Sequence, residues 1–170
     1  MTRYVAFLRG VSPRNAKMPA LKACFESAGF DHVRTILGSG NVAFDARASS
    51  VDSIARRATV AMQDGLGRTF ATIVRPSQHL RDLVGMDPFA GFDVPVHAKR
   101  VVTFLRRPAD GVRLPISRDG ATILGVAGCE AFTAYVASDR GPVFMTLLER
   151  TFGTDITTRT LDTVAKCAVA

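Results

Sequence analysis

HVRTILGSGNVAFDA, residues 32–46, decides the fold. HVRTIL and NVAFDA are β-branched and apolar runs on either side of Gly38-Ser39-Gly40, so the stretch predicts two strands joined by a tight glycine turn. Upstream, YVAFLRG (4–10) reads as a buried strand over Arg3–Arg9. Pro19 then suits the first position of a helix in which Leu21, Cys24, Phe25 and Ala28 recur at helical spacing, and Gly29 stops it. Downstream, Ser49 and Ser50 cap a second helix with the stripe Val51, Ile54, Ala55, Ala58 and Met62, ending near Gly65 and Gly67. A fourth strand, Phe70–Arg75, ends at Pro76. The order is βαββαβ, the split βαβ of ferredoxin-like folds.

After Pro76, residues 78–84 read as a short helix, and residues 85–98, with Pro88, Gly91 and Pro95, as an irregular stretch. RVVTFL (100–105), ATILGVA (121–127) and AFTAYVA (131–137) are then strand signals, with Asp119-Gly120 as a turn. Val143–Phe152 reads as a helix, Asp155–Arg159 as a last strand and Leu161–Ala168 as a closing helix capped by Thr160. The expectation is α+β: a tandem of two ferredoxin-like subdomains with antiparallel or mixed sheets. The first covers 1–76 and the second 99–170, its first helix reduced to a loop; 77–98 is a connecting helix and irregular linker. No sequence identity between the halves is visible at this level.

The 170 residues hold 22 Lys+Arg against 15 Asp+Glu, a formal charge of +7, with 47% apolar residues. That excludes disordered, collagenous and coiled-coil classes. Basic residues outnumber acidic ones 12 to 6 over 1–85 but only 10 to 9 over 86–170, so the first half is the one that attracts anions. Eighteen of the basic residues are Arg and 4 are Lys, which suits bidentate phosphate or carboxylate recognition. Cys24, Cys129 and Cys167 form no CxxC pair, which predicts a reducing, cytoplasmic setting. Tyr4–Leu8 is too short for a signal-peptide core, and no run reaches the ~20 apolar residues of a membrane helix. His32, His79 and His97 lack metal-ligand spacing. No motif calls for a metal or a cofactor.

FLRG at 7–10, NAKMPALKACFESAGF at 15–30, VRTILGSGNVAF at 33–44 and GTDITTRTLDTVAK at 153–166 resemble the signatures of domain-of-unknown-function family number 1697, a set of small bacterial proteins. Two departures stand out. Members often carry a glycine pair and Asn after LRG, where this chain has Val11-Ser12-Pro13-Arg14, and many carry Asn-Trp where it has Thr160-Leu161. The resemblance implies a fold of two ferredoxin-like halves and no particular activity.

In a right-handed βαβ crossover the first two strands run parallel, so their exits share one end of the sheet. The Arg9–Lys17 loop then lies beside the Gly38–Asn41 turn, and the first helix starts there with unpaired N–H groups. Arg9, Arg14, Lys17, Ser39 and Asn41 are therefore the candidate ligand-binding residues for an anion. A structural reading stands beside this one. Gly38 and Gly40 would serve positive φ in the turn, Asn41 would tie down the loop, and Arg9 would pair with an acid such as Asp45.

The candidate partners are a phosphorylated metabolite or a nucleic-acid backbone. The RNA-recognition pattern laid on Leu37–Phe44 has Ser39 and Asn41 where stacking aromatics belong, so base stacking is not expected there. The enzymatic alternative is a small-molecule pocket between the subdomains, and an edge-pairing interaction module is a third. Ser39 lies outside a G-x-S-x-G elbow and no P-loop occurs. Asp110, Asp119 and Asp139 fall at turn and cap positions without a paired-carboxylate signature.

Overall fold

The computed structural model describes residues 1–137, 141 and 143–170, so Asp139 lies outside the described residues. The protein is mixed α+β, with two antiparallel sheets and five helices among the described residues. It divides into two compact units, Met1–Asp82 with Ala165–Ala170, and Leu83–Val164. The last six residues join unit 1 partly through hydrogen bonds. Arg3 Nε donates to the Ala170 carbonyl at 3.1 Å and Arg81 Nη1 to that of Ala168 at 3.2 Å.

Unit 1 runs β1 (Thr2–Leu8), α1 (Met18–Ser27), β2 (Asp31–Ile36), β3 (Asn41–Ala46), α2 (Val51–Leu66) and β4 (Thr72–Pro76). The sheet order is β2-β3-β1-β4. β1 and β2 both pair antiparallel with β3, so they are parallel to each other and end at the same edge. Period-2 alternation sends Tyr4, Ala6, Leu8, Val42, Phe44 and Val74 to one face, where they meet Leu21 and Phe25 of α1 and Ile54, Ala58 and Met62 of α2. Phe44 is fully buried, its ring 4.4 Å from Phe30 and 5.3 Å from Phe25. Burying a side chain of this kind stabilises by about 1.5–3 kcal/mol. The other face carries Val5, Phe7, Ala43, Ile73 and Arg75, all buried.

The start of α2 and the end of α1 are the ones their sequence calls for. Ser50 Oγ caps α2 by accepting from the Ser53 N–H at 3.2 Å. Gly29, just past the α1 cap residue Ala28, has φ +82°.

Unit 2 contains β5 (Lys99–Leu105), β6 (Ile116–Arg118), β7 (Ala121–Ala127), β8 (Glu130–Tyr135), α4 (Val143–Phe152) and β9 (Ile156–Thr160). α3 (Ser77–Gly85) precedes it and α5 (Leu161–Ala168) follows β9. The sheet order is β6-β7-β8-β5-β9. β6 is an addition to the sequence reading, which had only the Asp119-Gly120 turn; three residues after a proline carry no alternation to read. Leu105, Ala121, Ile123, Leu147, Leu148 and Ile156 form its core. The irregular stretch still contributes packing, since Phe89 is buried edge-on against Phe132 at 5.8 Å.

The two units share a register that the sequence did not display. Phe7 faces Asn41 and Phe104 faces Glu130; Leu8 faces Thr72 and Leu105 faces Ile156. The Leu8 N–H donates to the Gly40 carbonyl at 2.8 Å, and that of Leu105 to the Cys129 carbonyl at 2.7 Å. Arg75 and Arg159 sit at matching positions opposite Val5 and Val102, and each donates Nη1 to the carbonyl of the preceding residue, at 3.0 and 2.7 Å. Phe7-Leu8-Arg9 and Phe104-Leu105-Arg106 are therefore the same tripeptide in the same place in each sheet. The expectation of no identity between the halves is corrected to that extent.

Candidate functional site

The shared end of β1 and β2 brings the 9–17 loop onto the 37–40 turn. Gly40 has φ +87°, and a Cβ built on it would lie 2.9 Å from Val11 Cβ and 3.1 Å from Leu8 Cβ, so the loop packs where only a hydrogen fits. Leu37, not Gly38, is the other positive-φ residue of the turn, at φ +59°; Gly38 has open space around it. That corrects the pairing of Gly38 with Gly40.

The loop is braced from within. Asn15 Nδ2 donates to the Gly10 carbonyl at 2.7 Å, and its Oδ1 accepts from the Ser12 N–H at 2.8 Å. Ser12 Oγ accepts from the Arg14 N–H at 3.3 Å. This leaves Arg14 and Lys17 exposed at the start of α1. Lys17 is the N-cap residue, no side chain caps the helix, and its first turn holds no acid. The helix start thus keeps a positive end toward solvent.

The candidate residues divide by burial. Arg9 is half-buried and Ser39 exposed, whereas Asn41 is fully buried. Asn41 Nδ2 donates to the Ile36 carbonyl at 2.9 Å and to Ser39 Oγ at 3.1 Å. Asn41 therefore ties the turn and orients Ser39. Arg9 takes no part in the expected pairing with Asp45. That carboxylate accepts from Arg3 Nη1 at 3.1 Å through Oδ1, and its Oδ2 is 2.9 Å from His32 Nδ1. Burial would raise the Asp45 carboxyl, but the bonds and charges of Arg3 and His32 outweigh it and hold it below the ordinary carboxylate value.

β4 supplies the third side of this corner. The Arg9 N–H donates to the Ala71 carbonyl at 2.9 Å, and just before it Arg68 stacks its guanidinium 4.5 Å over the Phe70 ring. Arg68 escaped the sequence reading, because only the β1–β4 pairing brings residues 67–72 to the end of β1. Segments 9–17, 37–41 and 67–72 together contain Arg9, Arg14, Lys17 and Arg68 and no Asp or Glu.

Unit 2 gives a contrast at the matching position. One step beyond Leu105↔Ile156 in the register, Arg106 faces Asp155, and the two form a bidentate ion pair at 2.7 and 3.1 Å. One step beyond Leu8↔Thr72, Arg9 faces Ala71. The residue across the strand pair is thus Asp155 in unit 2 and Ala71 in unit 1.

Elsewhere, Thr160 Oγ1 accepts from the Thr163 N–H at 3.3 Å, the cap expected for α5, and Arg159 Nη1 bonds the Thr157 hydroxyl at 3.1 Å. The three cysteines form no disulfide; Cys24 is buried, and burial pushes its thiol pKa up. Among the described residues no three His, Cys, Asp or Glu side chains gather as a metal-binding group. No helix among them is long and apolar enough to cross a membrane.

A family model described as a protein of unknown function (DUF1697) matches residues 1–122, which leaves the tail motif at 153–166 beyond its reach. No curated protein matches the chain. Among solved structures, a conserved bacterial protein from Streptococcus pneumoniae is similar, with a TM-score of 0.71 over 99% of this chain and 97% of that one at 15% identity. At that identity the likeness speaks to the fold.

Proposed function

The chain belongs to the DUF1697 family, and from that premise, which brings a fold and no reaction, we propose that unit 1 binds the phosphate group of a small phosphorylated molecule. Arg9, Arg14 and Lys17 supply charge, Ser39 a hydroxyl, and the uncapped start of α1 its backbone N–H groups. Asn41 acts as a positioning residue. Arg68 adds a fourth cation at the same end of the sheet. The observation that carries the reading is the composition of this corner: segments 9–17, 37–41 and 67–72 bring four cations to the uncapped start of α1 and contain no Asp or Glu of their own.

A phosphate monoester is favoured over a nucleic-acid backbone. Ser39 and Asn41 stand where the stacking aromatics of an RNA-recognition strand belong, and Phe44 is buried in the core of unit 1. The same proposal extends to the fold: we read both units as ferredoxin-like, supported by the orders β2-β3-β1-β4 and β7-β8-β5-β9, with residues 106–115 in place of the first helix of unit 2.

Calorimetric titration of the intact protein at low salt with inorganic phosphate, ribose 5-phosphate and a single-stranded oligonucleotide tests this. Each charge-assisted bond is worth about 1.5–3 kcal/mol, so an Arg9→Ala, Lys17→Ala variant should bind ribose 5-phosphate at least tenfold more weakly. Equal binding by the variant, or oligonucleotide affinity far above that of the monoester, overturns it.

A further inference from the structure

Unit 2 contains a cavity of about 340 Å³ at the end of β5, and its construction follows from the sequence. Where unit 1 continues from β1 through a loop into α1, unit 2 continues from β5 into 106–115, whose Pro108 and Gly111 (φ +70°) keep the chain out of a helix. The sheet end between this loop, the last turn of α4 and the start of β9 is thereby left hollow.

The lining is divided by polarity. Leu105, Phe152, Ile156 and Val112 give it an apolar wall. Arg106, Arg107, Asp110 and Asp155 are its charged members, two cations and two anions. The Arg106–Asp155 pair lies directly in this lining, and Arg107 Nη1 donates to the Arg106 backbone carbonyl at 2.9 Å. A simple anion brought here meets Asp110 and Asp155; a simple cation meets Arg106 and Arg107. A molecule matched to both carries one charge of each sign close together and an apolar body to place on the wall.

We propose that this cavity binds a small zwitterion of the chemical class of a free α-amino acid with an apolar side chain. The carboxylate lies toward the lining arginines Arg106 and Arg107, the ammonium toward Asp155 and Asp110, and the side chain against Leu105, Phe152 and Ile156. This site does not depend on the phosphate reading of unit 1.

The test titrates the intact protein with L-leucine and its two truncated analogues, 3-methylbutylamine, which lacks the carboxylate, and 4-methylpentanoate, which lacks the ammonium. L-leucine should bind at least tenfold more tightly than either analogue. Val112→Phe and, independently, Ala109→Leu fill the cavity from the loop without touching the ion pair, so both should keep their melting temperature and lose leucine binding. Arg9→Ala should leave it unchanged. Failure of leucine to bind, equal binding of leucine and either analogue, or binding undiminished in both filled variants overturns the proposal.

Discussion

Replacing Gly40 by alanine tests how the corner of unit 1 is built. At φ +87° an L-residue costs about 1–2 kcal/mol. The new methyl group would lie 2.9 Å from Val11 Cβ and 3.1 Å from Leu8 Cβ, which are stiff parts of their side chains, and such overpacking costs about 1–3 kcal/mol. Lower entropy of the unfolded chain returns about 0.4–1 kcal/mol. The net expectation is a loss of about 1–4.5 kcal/mol, a fall in melting temperature of roughly 2–18 °C for a chain of this size. Gly38→Ala is the internal control. It lies two residues away in the same turn, with open space and no positive φ, so its effect should stay within about 0.5 kcal/mol. Thermal unfolding followed by circular dichroism compares the two directly. Equal melting temperatures would refute the claim that the loop closes on Gly40.

Phe44→Ala removes a fully buried ring stacked on Phe30 and tilted against Phe25 and should cost about 3–5 kcal/mol in urea unfolding. Asp45→Asn should be less stable than the parent at pH 7, because the folded carboxyl is held below its ordinary value and its stabilisation is present above about pH 4. That difference should fade as the pH falls through the folded value, and melting curves from pH 7 to pH 2 that stay a constant distance apart would contradict it. Thr160→Ala deletes the α5 cap and should cost about 0.5–2 kcal/mol, read by chemical denaturation.

What the sequence displayed was what neighbouring residues decide among themselves. The glycine turn between β2 and β3, the caps at Ser50 and Thr160, and the apolar stripes of α1 and α2 are local patterns, and each element stands within a few residues of its expected bounds. The meeting of the 9–17 loop with the 37–40 turn followed from the handedness of one crossover. What stayed hidden depends on register between distant strands. Only pairing β1 with β4 and β5 with β9 lines up Arg9 with Arg106 and Ala71 with Asp155. Arg68 was missed for the same reason. The burial of Asn41 was hidden too, because it is set by β1 and β2 on either side of it, not by its own neighbours.

Ala71→Asp tests the central claim most directly, since it adds a carboxylate to a corner whose own segments hold cations and no acid. Ala71 is exposed, so the variant should fold with a melting temperature close to the parent's, while its affinity for ribose 5-phosphate at low salt should fall at least tenfold. A folded Ala71→Asp protein that binds the ligand as tightly as the parent would contradict the account.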